Sequence, residues 1–251
     1  MPHSAKDIVL KPIEARRARE VVQDLHYSGK VDPRSQLHVG IFLKGVLEGA
    51  MQFGPPVNKH ASIGLVEGTK WHHMIELNRM ALSDRLPRNC ESRALAIALR
   101  MLKKHAPQLK WVVTYADAAQ CGDGTIYRAG GWLLTDIKKN DSMWRMPDGE
   151  VLCSIVFNPG FNPNAKGQSV KAKYGKRGSE AATAFLHRIG AEKVPGYQLR
   201  YIKFLDPSWR DRLLPDVLPY STIDELGAGM YRGEKIPYHK RNQDEPAQEA
   251  S

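Results

Sequence analysis

The sequence predicts an α+β fold, a mixed central β-sheet flanked by helices. Short apolar segments rich in valine, isoleucine and aromatic residues alternate with amphipathic segments of helical period, so strands and helices interleave. Lys44-Gly45 joins two of the apolar segments as a hairpin turn, which indicates antiparallel pairing. Between Ile75 and Ala129 the order becomes strand, helix, strand, helix, which adds βα units to the hairpin.

The first part of the chain contains a helix and then the hairpin. The helix spans Ala15 to His26, and Gly29 is a natural stop for it. One face of this helix is apolar and carries Ala18, Val21, Val22 and Leu25. Strands are predicted over His38–Leu43 and Val46–Phe53, and Gly54-Pro55-Pro56 ends the second strand.

The central part is the most informative. After an irregular segment at 57–73, a strand spans Ile75–Leu82, a long amphipathic helix Ser92–Lys104, and a second strand Trp111–Ala116. A short helix with Tyr127 follows. Polar groups that gather where adjacent strands end are typical of ligand sites in α/β proteins, so we expect the functional site here.

The last part is predicted to complete the same sheet. Strands are expected over Trp132–Ile137, Ser142–Met146, Val151–Phe157 and Tyr197–Leu205, with a short helix over Ser179–Ile189 that Ser179 caps. The expected division is a catalytic core over 1–157, a basic flexible insertion with the short helix over 158–196, C-terminal elements of the same domain over 197–231, and a disordered tail over 232–251.

Composition places the chain among soluble enzymes and binding proteins. With 251 residues and 42% hydrophobic content it can bury a full core. No run of about 18 apolar residues occurs and the first 20 residues lack a secretory signal, so we expect a cytoplasmic protein without a membrane partner. The cysteines at 90, 121 and 153 form neither a disulfide framework nor a zinc motif. Cys90 lies just before the predicted long helix, whose dipole would lower the thiol pKa.

The net charge of +10 and the pI near 9.5 indicate a polyanionic partner, with nucleic acid ahead of membrane. Every charged residue between 166 and 177 is basic, and an aromatic residue is interleaved. Such a segment can neutralise phosphates while the ring stacks on a base, although a solvated loop would have the same composition. The residues predicted to contact DNA are Lys166, Lys171, Lys173, Tyr174, Lys176 and Arg177.

Arg79 stands inside the predicted strand Ile75–Leu82. Strict alternation would place Arg79 on the face of Ile75 and Leu77, and Glu76 on the other face. An arginine in such a strand needs an anionic partner, which is either an internal carboxylate or a phosphate of a ligand.

Other polar residues stand where elements begin or end, and each has two interpretations. Asp117 either caps the turn after its strand or faces a ligand crevice. Ser92 begins the long helix, as a plain N-cap or as part of an anion site. Tyr127 either donates a proton to a leaving group or packs with its hydroxyl satisfied. The pair His26-Tyr27 is either structural or exposed to a cleft.

Several well-known motifs are absent from the sequence. It has no phosphate-binding Gly-x-x-x-x-Gly-Lys-[Ser/Thr] loop, no dinucleotide glycine fingerprint, no His-Glu-x-x-His helix and no Gly-x-Ser-x-Gly elbow. Nucleotide hydrolysis, nicotinamide redox chemistry and zinc proteolysis are therefore disfavoured.

Short motifs in the sequence resemble, in their order, those of the Mom family of DNA modification proteins from Mu-like bacteriophages, which are divergent relatives of the GNAT acyltransferases. The motifs are His26-Tyr27-Ser28-Gly29, Phe53-Gly54-Pro55, Glu76-Leu77-Asn78-Arg79, Pro87-Arg88-Asn89-Cys90-Glu91-Ser92, Tyr115-Ala116-Asp117 and Ile126-Tyr127. The GNAT pattern before the long helix, [Arg/Gln]-x-x-Gly-x-[Gly/Ala], corresponds here to residues 88–93, which include no glycine. The resemblance implies a GNAT-like sheet.

The resemblance also implies an activity. Proteins of this family add a carbamoylmethyl (acetamido) group to the exocyclic N6 amine of adenine in phage DNA, which hides restriction sites, and the adenine would be flipped from the duplex. The catalytic residues it implies are His26, Tyr27, Arg79, Ser92, Asp117 and Tyr127. Those implied for an acetyl-CoA or other acyl or aminoacyl donor are Arg79, Arg88, Asn89, Ser92 and Arg93. Iron is a second cofactor that the resemblance suggests, with His26 and Asp117 as candidate ligands.

Two other function classes stay open from the sequence. One is a GNAT-type N-acetyltransferase for a protein or small-molecule amine, which would transfer acetyl groups without DNA. The other is a non-catalytic DNA-binding phage protein, which would bind DNA tightly and salt-sensitively without altering a nucleoside. The missing glycine disfavours the first class, and the ordered motifs disfavour the second.

Overall fold

The computed structural model describes residues 4–26, 31–118, 122–158 and 165–229, with the backbone alone at 165–169. Ten strands occur in this part of the chain. They are β1 (Ile8–Pro12), β2 (Leu37–Leu43), β3 (Val46–Gly54), β4 (Met74–Leu82), β5 (Trp111–Asp117), β6 (Leu133–Asn140), β7 (Met143–Arg145), β8 (Val151–Cys153), β9 (Glu192–Lys193) and β10 (Gly196–Phe204). Seven of them form the main sheet in the order β1-β2-β3-β4-β5-β10-β6.

Seven α-helices accompany the strands in the described residues. They are α1 (Ala15–Leu25), α2 (Lys59–Ile63), α3 (Cys90–His105), α4 (Thr125–Ala129), α5 (Ala165–Tyr174), α6 (Ala182–Arg188) and α7 (Ser221–Glu225). Short 3-10 helices occupy Ala5–Asp7, Trp71–His73, Ser154–Phe157 and Pro207–Arg212. No helix of the described residues is long and apolar enough to cross a membrane.

The two long helices cover opposite faces of the main sheet. Ala18 and Val22 of α1 pack against Ala50 and Ala81 of the sheet. The buried side of α3, with Ala94, Leu95, Ala98 and Leu102, packs in a separate core with Val112 of β5. Helices on a mixed sheet confirm the predicted α+β fold class, and they define an α1 face and an α3 face.

Pairing within the main sheet is antiparallel except at its centre, where β4 and β5 are parallel. A parallel pair needs a crossover, and α3 provides it. The predicted strands at 38–43, 46–53, 75–82, 111–116 and 197–205 are confirmed to within a few residues, as is the hairpin at Lys44-Gly45.

A second sheet corrects the prediction for the last part of the chain. The predicted strands Ser142–Met146 and Val151–Phe157 do not join the main sheet; β7 and the shorter β8 pair with β9 in a three-stranded sheet. This sheet has its own core, in which Trp144 packs with Phe157 and Phe185. The sequence of a short apolar strand does not show which strand it pairs with, because pairing depends on contacts between distant parts of the chain.

The segment predicted as a flexible insertion also contains regular structure. Residues 165–174 form α5, and Val170 joins the core of the second sheet. The following helix begins at Ala182 with Ala181 as its N-cap, so the prediction of Ser179 as cap is wrong. The sequence analysis also missed β1, an edge strand with one buried residue, and α2 within the segment expected to be irregular. The predicted disordered tail lies outside the described residues, and the domain division stays a prediction.

Candidate active site

The centre of the main sheet opens between β4 and β5. Their ladder contains three residue pairs and ends at Glu76↔Val113, whereas β4 continues to Leu82 and β5 to Asp117. Each strand stays paired with its outer neighbour along this stretch, β4 with β3 and β5 with β10. The side chain of Thr114 spans the first unpaired position, where its hydroxyl donates to the Leu77 carbonyl oxygen at 3.2 Å. The two strands therefore separate above this point and leave a gap that both faces share.

A β-bulge in β4 sets which side chains flank the gap. Gln52 of β3 pairs with Arg79 and Phe53 with Leu77, so Asn78 has no partner in the ladder. The extra residue reverses the alternation that follows it. Leu77 lies in the α3-side core, and Ala81 contacts α1. The prediction that Arg79 shares a face with Leu77 is therefore wrong, because the bulge turns Arg79 to the α1 face, where Glu76 also lies.

Glu76 is a buried carboxylate beside the gap, with 8% of its surface exposed. Burial raises the pKa of Glu76 to about 7, and nearby Asp32 adds to the increase. A hydrogen bond from Asn78 and the positive charges of Arg34 and Arg79 oppose this shift without cancelling it. A carboxyl group with this pKa exchanges a proton near neutral pH, which suits a general base.

A polar frame holds Glu76 and its neighbours in place. Arg34 pairs with the buried carboxylate of Asp32, and its Nε donates to Asp32 Oδ1 at 3.0 Å. Burial alone would raise the pKa of Asp32, but the hydrogen bonds and charge of Arg34 lower it, so this carboxylate stays ionised. Ser35 donates to Asn78 Oδ1 at 3.0 Å. Gly54 permits this close packing, since a Cβ there would lie 2.7 Å from Asn78 Oδ1.

His26 ends α1 and lies near Arg79 on the same face. Burial, with a contribution from the Arg79 charge, lowers the pKa of His26 to about 3. The imidazole is therefore neutral at physiological pH and suits a hydrogen-bonding role. Tyr27, the neighbouring residue predicted to be catalytic, lies outside the described residues.

The metal hypothesis gains no support from this arrangement. Within the described ranges no three histidine, cysteine, aspartate or glutamate side chains gather to hold a metal ion. The guanidinium of Arg79 close to His26 also disfavours a cation at that position. Among the described residues, His26 and Asp117 therefore have no third donor that would complete an iron site.

The carboxyl end of β5 completes the α1 face. Trp111, Val113 and Tyr115 share one core on this face, and alternation places Asp117 with them. Burial raises the pKa of Tyr115, and the charge of Glu76 contributes, which places the phenol near that carboxyl group. The Tyr115 hydroxyl is hydrogen-bonded to Ser62 of α2. His26, Glu76, Arg79 and Asp117 therefore lie on one face of the sheet.

Tyr127 lies on the α3 face, contrary to the expectation of a single crevice. Its ring is buried in the α3-side core, with ring centroids 5.3 Å from both Trp132 and Tyr201. Its hydroxyl oxygen lies 3.4 Å from Thr114 Oγ1, at the point where the strands separate. The single hydroxyl hydrogen of Thr114 can be donated either to the Leu77 carbonyl oxygen or to the Tyr127 hydroxyl oxygen. The phenol thus reaches the gap from the face opposite Glu76.

The first turn of α3 lies beyond the carboxyl end of β4. Asn89 adopts a left-handed conformation with φ of 67°, and its side chain accepts no capping hydrogen bond. The Ser92 hydroxyl donates to the Asn89 carbonyl oxygen at 3.2 Å. The backbone N–H groups of Glu91 and Ser92 have no acceptor among the described residues. Arg88 and Arg93 are exposed beside this turn. The turn can accept an anion, although the Glu91 carboxylate at its edge opposes one.

Cys90 corrects one expectation at this helix. It is the first residue of α3 and 2% exposed, and burial raises the pKa of its thiol rather than lowering it. Desolvation of a thiolate outweighs the helix dipole when the sulfur is enclosed by apolar side chains. Cys90 is therefore a core residue.

Some side chains of the segment predicted to contact DNA interact instead with residues around the second sheet. Lys173 forms ion pairs with Asp148 and Glu150. The Tyr174 hydroxyl donates to Asp148 Oδ2 at 2.6 Å, and its ring packs on Phe157. A stacking role for Tyr174 would require these contacts to break. Lys176 is exposed and Arg177 half-buried, and the Lys166 side chain is outside the described residues.

Sequence reasoning missed Glu76 as a site residue, although it noted the motif that contains it. A carboxylate in the middle of an apolar strand was the available signal, because such a group is rarely buried without a role. Strict alternation placed Glu76 and Arg79 on opposite faces, because it did not include the bulge at Asn78. The predicted residues meet instead from two faces, with His26, Arg79 and Asp117 on one and Tyr127 and Ser92 on the other.

Comparison with known proteins supplies the family context. Residues 7–222 match the model of the Mom protein family. A relative from Escherichia phage Mu, named methylcarbamoylase mom, is 32% identical over 222 residues, which are 87% of this chain and 85% of that protein.

Solved structures of GNAT acetyltransferases also resemble the chain, at low identity. The ribosomal-protein-S18-alanine N-acetyltransferase from Escherichia coli is 9% identical with a TM-score of 0.41, covering 79% of this chain and 94% of that one. A GNAT family acetyltransferase from Elizabethkingia anophelis with acetyl-CoA bound is 11% identical with a TM-score of 0.37, covering 79% and 98%. Resemblance at this level says nothing about substrate.

Proposed function

Because the chain belongs to the Mom protein family, we propose that it is a transferase that adds a carbamoylmethyl group to the N6 amine of adenine in DNA. The observation that carries the proposal is the gap between β4 and β5, with a proton-accepting carboxyl group on one face and a phenol on the other. A nucleophile and a donor approaching from opposite faces would meet in this gap.

The α1 face is the proposed site of the adenine. The exocyclic amine is a weak nucleophile because its lone pair is delocalised into the ring, so loss of a proton as the new N6–carbon bond forms favours the reaction. Glu76 accepts this proton, and its pKa near 7 leaves enough of it ionised to do so. Arg79 and Asp117 orient the base and balance the charge, and His26 offers a neutral hydrogen-bonding group.

The α3 face is the proposed site of the donor. The backbone amides of Glu91 and Ser92, which have no acceptor in the described part of the chain, fit the pyrophosphate of a coenzyme A type donor together with Arg88, Asn89 and Arg93. An aminoacyl donor of the glycyl type would balance the reaction. Acyl transfer would break the donor's ester or thioester bond and form an N6-glycyl amide. Attack of the glycyl amine on the adenine C6 carbon, with release of the original N6, would then leave the C6–NH–CH2–CO–NH2 group. Tyr127, at the gap, is placed to donate a proton to the leaving group, which takes the electrons of the bond that breaks.

Duplex DNA is the proposed substrate, and the net positive charge of the chain favours its phosphate backbone. Lys171, Lys176 and Arg177 remain predicted backbone contacts. The adenine has to leave the base stack, because a gap inside a sheet cannot admit a paired base.

The proposal is tested by expressing the protein in bacteria and digesting the cellular DNA to nucleosides for mass spectrometry. We expect a deoxyadenosine with the mass of one added carbamoylmethyl group. The same assay on Glu76→Gln should give unmodified deoxyadenosine. DNA without any altered nucleoside from the unmutated protein, combined with acetyl transfer to amines in the absence of DNA, would replace this proposal with an ordinary N-acetyltransferase.

A further inference from the structure

The segment between β3 and α2 borders the gap on the α1 face. Its first end is held at the site, where Asn78 Nδ2 donates to the Pro55 carbonyl oxygen at 3.5 Å. Its second end lies beside β5, where Ser62 is close enough to the Tyr115 phenol to lower the pKa of that group. Because Asn78 belongs to β4 and Tyr115 to β5, the segment crosses the opening between the two strands.

Val57 protrudes from this segment into solvent. It is 78% exposed, the largest exposed fraction among the large hydrophobic residues of the described chain. Pro55 and Pro56 fix the backbone that leads to it, and Asn58 caps α2 directly after it by accepting from the Ala61 N–H at 3.1 Å. Because the prolines restrict the backbone before Val57 and the cap restricts it afterwards, inserting this side chain into a partner costs less chain entropy than insertion from an unrestricted loop.

The surroundings of Val57 have the character of a nucleic-acid contact. Lys59 Nζ lies 4.4 Å from the ring centroid of Trp71, which is itself 38% exposed. Lys70 is the next basic residue beside this ring. Cationic groups beside an exposed aromatic ring suit a phosphate backbone and its bases better than an apolar protein surface.

We propose that residues 55–59 form the element that opens duplex DNA at the site, with Val57 inserted into the stack in place of the adenine and Lys59 on the adjacent phosphate. This inference rests on the proposed function, because it assumes that a base must enter the gap. Side chains of this kind fill the space that an extruded base leaves and offset part of the lost stacking. The segment that carries Val57 is anchored at Pro55 to Asn78, which lies two residues from Glu76 along β4.

The test compares Val57→Ser with Val57→Leu and with Val46→Ser. Val46 is a matched control, since it is a 55% exposed valine at the other end of β3, about 26 Å from Gly54 for a strand of this length. Each protein is given duplex DNA and single-stranded DNA of the same sequence, and modified deoxyadenosine is measured by mass spectrometry. Extrusion is measured separately from the fluorescence of 2-aminopurine at the target position.

Val57→Ser should lower duplex modification at least about 10-fold and suppress the 2-aminopurine signal, while modification of the single strand stays unchanged. Val57→Leu and Val46→Ser should retain both signals. Lys59→Gln should weaken duplex binding. It should also reduce the slope of log binding constant against log salt concentration by about the amount of one phosphate contact.

If Val57→Ser lost modification of duplex and single-stranded DNA equally, or lost none on the duplex, the proposed role of Val57 as a wedge would be wrong. If Val57→Ser changed the oligomeric state, measured as molecular mass by light scattering, while duplex modification stayed intact, the surface around Val57 would be a protein contact instead. If the unmutated protein modifies neither substrate, the proposed function fails, and the fluorescence measurement alone then decides whether Val57 extrudes a base.

Discussion

The two faces of the gap between β4 and β5 differ in chemistry. On the α1 face, the charge of Arg79 lowers the pKa of the half-buried His26 and opposes the rise in the pKa of the buried Glu76. On the α3 face, Tyr127 lies among Trp132, Tyr201 and aliphatic residues, and its hydroxyl meets Thr114. One face therefore carries a carboxyl group whose pKa lies near neutral pH, and the other carries a single phenol among apolar side chains.

The largest expected effect tests whether the α1 face carries the proton chemistry. Glu76→Gln should lower the modification rate by about 10² to 10⁴, the range for loss of a general base. Below pH 7 the unmutated protein should lose activity as Glu76 becomes protonated. Glu48→Gln is the control, because Glu48 is an equally buried glutamate on β3 that pairs with Arg85 at the other end of the sheet. Equal activity of the two variants would remove Glu76 from the mechanism.

Arg79→Met tests the coupling within the α1 face. Loss of the guanidinium should raise the pKa of His26, and raise that of Glu76 further, because Arg79 lowers both. We expect modification to fall about 100-fold, with the activity profile moved to higher pH. The pKa of His26 can be followed by NMR, with Arg85→Met as the control. An unchanged His26 pKa would contradict the proposed contact.

Tyr127→Phe tests the α3 face and should have a smaller effect. The ring and its packing are retained, so the free energy of unfolding should fall by about 1 kcal/mol for the lost hydroxyl. Activity should fall by about 10-fold or more if the phenol donates a proton. Tyr201→Phe is a matched control, because its hydroxyl belongs to the same aromatic cluster but donates to the Asp123 carbonyl at 2.5 Å. Comparable activity losses would make Tyr127 a packing residue.

The pH dependence of stability tests the buried state of Glu76 without an activity assay. Its pKa rises on folding, from 4.5 to about 7, so its contribution to stability is full below pH 4.5 and is lost as the pH rises through 7. Glu76→Gln should therefore gain on the order of 3 kcal/mol relative to the unmutated protein between pH 4.5 and pH 8. His26 acts in the opposite direction, between pH 6.5 and 3, and cancels in the comparison. The free energies of unfolding are measured by urea denaturation at pH 4.5 and pH 8. The same difference between the two proteins at both pH values would contradict the raised pKa of Glu76.

The smallest effect concerns the donor turn on the α3 face. Asn89→Gly should change the free energy of unfolding by less than about 1 kcal/mol, because Asn89 already adopts a left-handed conformation that glycine accepts. Asn89→Val should cost about 1–2 kcal/mol, since a β-branched residue is strained at positive φ. Donor affinity should be kept in the first variant and lost in the second. Thermal unfolding and binding of coenzyme A measure the two effects.

Sequence reasoning predicted the two central strands and the crossover helix, which the structure confirms. Its choice of Arg79, Asp117 and Tyr127 as site residues stays a prediction. It placed Arg79 on the wrong face, because alternation assumes an unbroken ladder and nothing in Glu76-Leu77-Asn78-Arg79 marks Asn78 as a bulge. It expected one crevice, whereas the strands separate and the residues approach from both faces.

The sequence alone determined the longer strands and helices of the core, because apolar periodicity, the Lys44-Gly45 turn and the polar residues at strand ends are local properties of the chain. Tertiary structure alone decided which strands share a sheet, which face Arg79 joins, and that Glu76 is enclosed deeply enough for its pKa to reach about 7. The physical reason is that pairing, bulges and desolvation depend on residues far apart in the chain, which only the folded protein brings together.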